Sequence, residues 1–132
     1  MNCLFCEIAN KKIASFKVWE NEDFLAFLDI APINPGHVLL IPKKHTKDVF
    51  SLSDDVYDKI FQIAKKIVKP LKKATLAKKI GLVVEGFGVP HAHIHLVPTY
   101  KGNELNPERA KKASSADLKK MQKILLNSFK HL

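Results

Sequence analysis

The run Pro90-His91-Ala92-His93-Ile94-His95-Leu96-Val97-Pro98 restricts the fold more than any other stretch of this chain. Histidines alternate with apolar residues, and a period of two belongs to a strand with one buried face. Successive strand side chains point to opposite faces. The spacing therefore predicts His91, His93 and His95 together on one face, with Ala92, Ile94 and Leu96 entering the core. The flanking prolines fit strand ends, where a missing amide donor does least harm. At about 3.3 Å per residue, neighbouring histidines lie roughly 6.6 Å apart and His91 roughly 13 Å from His95. A zinc–nitrogen bond is only about 2 Å long, so one ion does not easily collect all three. The three rings must divide the labour among nucleophile, general acid and metal ligand.

The other segments supply partners for such a strand. Lys17–Glu20 and Phe24–Leu28 flank the polar turn Asn21-Glu22-Asp23 and predict a hairpin. Residues 29–36 carry two prolines and a glycine and read as loop, whereas His37–Ile41 is apolar enough for a central strand that Pro42 closes. Ser51 and Ser53 before Asp54-Asp55 predict a helix start, and Val56, Ile60, Ile63, Ile67 and Leu71 give that helix a core-facing stripe. Pro70 is expected to kink or finish it. Ile80–Glu85 reads as a strand, Gly86-Phe87-Gly88 as a turn, and Ala92–Val97 as the histidine strand. Residues 101–113 form a polar, basic loop. A last helix begins at Ser114-Ser115-Ala116-Asp117 and turns Leu118, Met121, Leu125 and Phe129 inward. The expected architecture is α+β: about five mostly antiparallel strands, two principal helices, and a short N-terminal helix over residues 3–10. One domain over residues 1–132 is expected at this length.

Charge narrows the partners. The chain holds 22 Lys plus Arg against 13 Asp plus Glu, a net +9, yet Arg109 is its only arginine. Arginine is the commonest reader of base edges, so sequence-specific DNA binding is not expected. A lysine-rich solvated surface that weakly attracts anionic nucleotides fits better. No run of about 18 apolar residues is present, so no membrane span is expected. Met1-Asn2-Cys3 offers no basic region leading into an apolar one, so a cytoplasmic protein is the default expectation. Cys3 and Cys6 are too few for a disulfide scaffold, which leaves redox, metal or packing roles. A redox pair would follow a strand, and none precedes Cys3.

His91-x-His93-x-His95 with apolar spacers resembles the histidine-triad (HIT) family of nucleotide hydrolases and transferases. The resemblance extends to Cys3-Leu4-Phe5-Cys6, to Phe27-Leu28-Asp29-Ile30-Ala31-Pro32, and to the run Pro35-Gly36-His37-Val38-Leu39-Leu40-Ile41-Pro42-Lys43-Lys44-His45. These motifs stand in the family's order and cover most of residues 3–100, which makes them far more specific together than singly. The resemblance implies that His93 attacks the α-phosphorus of a nucleotide and is transiently nucleotidylated. His95 would contact the phosphate and can donate a proton to the leaving group, with His37 supporting it from the neighbouring strand. Leu4, Phe5, Ile8 and Phe27 would enclose the base, and Asp29, with Ile30 beside it, would bind the ribose hydroxyls. The resemblance also implies zinc on Cys3, Cys6, His45 and His91, a pattern used in related branches including the uridylyltransferases of galactose metabolism. A purine nucleotide of the AMP type and a homodimer complete the expectation.

One departure bears on activity. The family carries Gln-Ser or Gln-Thr just before the triad, and here Phe87 and Gly88 stand in that place. Backbone amides at Gly88 and Val89 can still face a phosphate, but a hydroxyl and an amide are lost. The alternative is a nucleotide-binding or interaction module without turnover. A hydrolytic zinc enzyme ligated by His93 and His95 is a further rival, weakened by the want of a well-placed acid beside them.

Overall fold

The computed structural model describes residues 3–85 and 87–132. A short helix α1, Leu4–Ala9, precedes strands β1, Lys17–Glu20, β2, Phe24–Leu28, and β3, Val38–Pro42. The long helix α2 spans Asp54–Thr75, followed by β4, Lys79–Val83, β5, Ile94–Thr99, and α3, Ser115–Ser128. The five strands form one sheet in the order β1-β2-β3-β5-β4, with every neighbouring pair antiparallel. This is the expected α+β architecture, with strand and helix counts as anticipated.

Local chemistry explains the elements. The side chain of Asn21 accepts the backbone N–H groups of Asp23 and Phe24, closing the β1–β2 hairpin at the predicted polar turn. Ser53 caps α2 by accepting from the amide of Val56, and Asp54 and Asp55 sit in its first turn, where the helix dipole favours them. Ser114 does the same for α3 through the amide of Asp117.

The sheet is covered on both faces. Phe24, Ala26 and Leu28 of β2, Val38 and Leu40 of β3, and Ile94 and Leu96 of β5 pack with Ile60, Ala64, Ile67 and Leu71 of α2. Leu118 and Leu125 of α3, with Phe129 at its end, join the same core. The opposite face carries Leu25, Phe27, Leu39 and Ile41 against Cys3 and Phe5 from the α1 region. Strands buried on both sides read as unbroken apolar runs, as β2 and β3 do. Pairing sets Phe27 opposite Leu39, Leu39 opposite His95, and His95 opposite Val83, one row of side chains running across the sheet beneath α1.

Several boundaries differ from expectation. β5 begins at Ile94, so His91 and His93 precede the strand and only His95 of the three lies within it. The reason is local. The amide of His91 bonds to the Val89 carbonyl and that of Ala92 to the Thr46 carbonyl, so neither joins the ladder with β3. Ala92 is nonetheless buried, which is why the alternating pattern held through the irregular backbone. Pro98 lies inside β5 rather than closing it. Its carbonyl accepts from the Asn34 side chain on the side where β3 has ended, so its missing N–H interrupts no ladder bond there. β4 stops at Val83, leaving Glu85 outside the strand, and α2 runs through Pro70 to Thr75. The Gly86 end of the predicted turn lies outside the described residues. No helix among the described residues is long and apolar enough to cross a membrane.

Candidate active site

Four potential ligands converge where α1 meets the approach to β5. Cys3 Sγ lies 3.4 Å from His91 Nδ1, Cys6 Sγ lies 3.4 Å from the same nitrogen, and Cys6 Sγ lies 3.2 Å from His45 Nδ1. All four ligand atoms fall within 4.8 Å of one another. Bonds of about 2.3 Å to sulfur and about 2.0 Å to nitrogen, set tetrahedrally, would separate such atoms by roughly 3.5 Å. The donor set fits a tetrahedral cation. The tautomer fits as well: His91 Nε2–H donates to the Pro42 carbonyl at 2.8 Å, so Nδ1 presents its lone pair to the thiols. Burial, then contact with the Cys3 thiol, raises the Cys6 pKa, while burial lowers that of His91. A cation would reverse the Cys6 shift, since a coordinating thiol is deprotonated.

His93 is held two residues on. A carbonyl can only accept, so the 2.6 Å contact between His93 Nδ1 and the His91 carbonyl puts the proton on Nδ1. In the neutral ring the lone pair is then on the opposite atom, Nε2, which can act as a nucleophile. The Phe5 ring meets the His93 ring edge-on at 5.1 Å, which restricts its rotation.

A second chain of donors fixes His95. The Ile33 amide donates to His37 Nδ1 at 3.1 Å, so a neutral His37 carries its proton on Nε2. That proton faces His95 Nδ1 at 2.9 Å, which in turn leaves the His95 proton on Nε2. Burial, with His37 and His93 nearby, holds His95 down to about 4, and burial likewise lowers His37 against the opposing pull of Asp29. Both rings are uncharged at neutral pH. Asp29, His37 and His95 also lie close enough to share an ion. The Ile33 donor argues against it, because His37 cannot accept that bond at Nδ1 and ligate through Nε2 while remaining a neutral imidazole.

The face beneath α1 opens into a cavity of about 440 Å³. Leu4, Phe5, Ile8 and Phe27 line its apolar part, and Asp29 and Ile30 line one wall. Gly88, Val89, His93 and His95 line the remainder named from the sequence, so all ten predicted nucleotide-site residues meet in one space. Phe5 and Phe27 stack edge to face at 5.5 Å. Asp29 accepts the Ala31 amide through Oδ1 at 2.9 Å, which fixes the carboxylate at the rim. Phe87 is 95% exposed outside the cavity.

Sequence reasoning missed several contributors. Leu39 and Glu85 also line the cavity. Leu39 owes its place to the β3–β5 register that sets it opposite His95, which the sequence does not display, and Glu85 looked like an ordinary strand end. The carbonyls of Pro42 and His91 and the amide of Ile33 set all three tautomers, and backbone groups leave no mark in a sequence.

The sequence profile of the HIT domain family matches residues 10–102. The adenosine 5′-monophosphoramidase of Schizosaccharomyces pombe is 38% identical over 106 residues, covering 79% of this chain and 77% of that relative. An uncharacterized HIT-like protein of Methanocaldococcus jannaschii is 40% identical over 106 residues, covering 76% and 81% respectively. A crystal structure of a hypothetical histidine triad nucleotide-binding protein from Sulfolobus tokodaii superposes with a TM-score of 0.88 at 29% identity, over 98% of this chain and 93% of that one.

Proposed function

The chain belongs to the HIT family, and on that premise we propose that it is a nucleotide phosphoramidase or dinucleotide hydrolase. It would cleave at the α-phosphate of a purine nucleotide through a nucleotidyl-His93 intermediate. The observation that carries this reading is His93 itself, whose Nδ1–H is tied to the His91 carbonyl at 2.6 Å while the ring lines a nucleoside-sized cavity. The phosphoramidase relative from fission yeast supports the reaction class.

In this reading the base lies against the apolar wall of Leu4, Phe5, Ile8 and Phe27, and Asp29 accepts from the ribose hydroxyls. The α-phosphate rests against both His93 and His95, whose rings meet at a centroid separation of 5.1 Å. His93 Nε2 attacks phosphorus, the bond to the leaving nitrogen breaks, and that nitrogen keeps the electron pair and takes a proton. His95, neutral at working pH, aids departure by donating its Nε2–H hydrogen bond to the leaving atom. Water then attacks the nucleotidyl-His93, releases AMP and restores the free ring, and the proton it sheds balances the one consumed. The amides of Gly88 and Val89 supply the donors for developing charge on the phosphoryl oxygens.

Zinc is the ion we assign to Cys3, Cys6, His45 and His91, because two thiolates and two imidazoles form the donor set of a closed structural site. It would staple α1 to the backbone just before His93 and take no part in the chemistry. Pairing of two copies belongs to the same reading, with the open edge of β4, where Leu82 is 42% exposed, as the place for it. Sedimentation velocity tests that point.

Incubation with an adenosine phosphoramidate is expected to release AMP and to leave a trappable adenylyl-protein in acid quench. His93→Ala should lose both, with at least about a thousandfold fall in kcat/KM. Full activity in that variant would remove His93 from the mechanism. The replacement of the Gln-Ser/Thr pair by Phe87 and Gly88 supports a second reading, a binding module without turnover. AMP binding by calorimetry with no hydrolysis of any tested nucleotide would establish it.

A further inference from the structure

Beyond His95 from the nucleoside cavity lies a second, smaller cavity of about 110 Å³, lined by His37 and by Asp29, Glu85 and His95, which it shares with the first. If the nucleoside fills the first space, as the function proposed above requires, the leaving group points into the second. At 110 Å³ against 440 Å³ it has a quarter of the room, too little for another nucleoside. Its outer wall is built rather than incidental. Leu105 packs directly on β4 at Gly81, where an added Cβ would lie 2.7 Å from Leu105 Cδ1. The loop bearing Leu105 is pinned because the Glu104 carboxylate accepts the amides of Tyr100, Lys101 and Gly102 at 2.8, 2.9 and 3.0 Å.

The charge of this space runs against that of the chain. The protein carries 22 Lys plus Arg, yet no Lys or Arg lines either cavity among the described residues. The ionisable side chains there are Asp29, Glu85 and three histidines, two of which burial keeps neutral. Asp29 faces the ribose in the proposed pose. That leaves Glu85, which lines both cavities together with Asp29 and His95, as the carboxylate free to face the departing group. A polyphosphate chain leaving past Glu85 would meet a like charge and no cation. A small amine would meet a like charge nowhere and, if it bore an ammonium group, would find a partner.

We infer that Glu85 determines leaving-group specificity, selecting phosphoramidates of small neutral or cationic amines and disfavouring nucleoside polyphosphates. The bond cleaved is P–N. The amine nitrogen leaves with the electron pair and one proton, and water later supplies the oxygen that completes AMP.

The test uses the full chain and three adenosine phosphoramidates of matched length, made from 1,2-diaminoethane, ethanolamine and glycine, with diadenosine triphosphate as a fourth substrate. The readout is the ratio of kcat/KM for the cationic over the anionic amide, in wild type relative to Glu85→Gln, because this double ratio cancels intrinsic leaving-group reactivity. We expect about tenfold or more, and a further swing towards the glycine amide in Glu85→Lys. A double ratio within about twofold of one, or hydrolysis of the dinucleotide as efficient as that of the diaminoethane amide, overturns the inference. AMP calorimetry and acid-quench trapping of adenylyl-His93 separate the two levels. If trapping succeeds and the series is flat, only the specificity assignment falls. If neither AMP binding nor trapping is seen, the hydrolase reading falls and takes this inference with it.

Discussion

His37 Nε2 and His95 Nδ1 stand 2.9 Å apart, and the Ile33 amide behind His37 decides which of the two donates. The pair is a one-way arrangement: backbone N–H to His37, His37 to His95, and the His95 Nε2–H left for whatever enters the cavity. A ring released from that constraint would sample both tautomers, and one of the two would present a lone pair to an anionic phosphate.

His37→Asn is therefore expected to lower kcat by roughly ten- to a hundredfold, with KM and AMP affinity little changed, since His37 itself does not line the nucleoside cavity. Nitrogen-15 NMR of the His95 ring should show the Nε2–H form in wild type and a mixture in the variant. An unaltered kcat, or an unaltered tautomer signal, would show that His37 is only a packing residue.

Metal removal should act on stability and leave the histidine chemistry intact. Purified protein is expected to hold one zinc per chain, and Cys6→Ser to lose it at a cost on the order of 3 kcal/mol or more. His93→Ala should keep the full equivalent, because His93 Nδ1 is occupied by the His91 carbonyl and lies outside the ligand set. Elemental analysis of both variants beside a chelator-treated thermal melt checks it. Metal-free protein whose unfolding ignores both chelator and Cys6→Ser would refute the zinc assignment.

Much of this was legible in the residues, and the reasons differ by residue. The alternation of His91, His93 and His95 with Ala92, Ile94 and Leu96 reports which side each residue faces, and that division survives an irregular backbone even though His91 and His93 are buried too; hence the shared site was readable although β5 starts only at Ile94. Cys3 and Cys6 could be paired with His45 and His91 through the family resemblance, which is carried by side chains. The tautomers could not, since Ile33, His91 and Pro42 act through main-chain atoms that any residue type provides. Glu85 escaped notice for the opposite reason. An exposed acid after a strand is common, and only the shape of the cavities around it gives it meaning.

Acid should unfold the protein in two separable windows. A group whose pKa is depressed on folding contributes stability above its unfolded value, and loses it as pH falls through the folded one. His95, lowered from 6.5 to about 4, costs on the order of 2 kcal/mol as pH falls between those limits, allowing for its partial exposure. The buried His37 shifts in the same direction. Glu104, lowered from 4.5 to about 2 by the amides of Lys101 and Tyr100, acts in the lower window. In urea titrations Glu104→Gln should flatten the slope below pH 4.5 and His95→Asn that between 6.5 and 4. Identical pH profiles for wild type and Glu104→Gln would show that the loop bearing Leu105 does not depend on that carboxylate.

The end of α2 offers a test that owes nothing to the site. Leu76 caps the helix in the left-handed region, φ 57° and ψ 25°, while the residue is 83% exposed to solvent. A β-carbon in that conformation costs roughly 1–2 kcal/mol, and so exposed a side chain recovers little by burial. Leu76→Gly removes the steric cost but gives the unfolded chain more freedom, about 0.4–1 kcal/mol the other way. The net expectation is a gain of roughly 0.5 kcal/mol for glycine. Leu76→Ala keeps the β-carbon and should match wild type, whereas Leu76→Val adds branching and should lose about 1 kcal/mol. Urea midpoints at constant m-value give the order glycine, then leucine and alanine together, then valine. Glycine at or below leucine in that series would mean that the Leu76 side chain contributes contacts its exposure does not reveal.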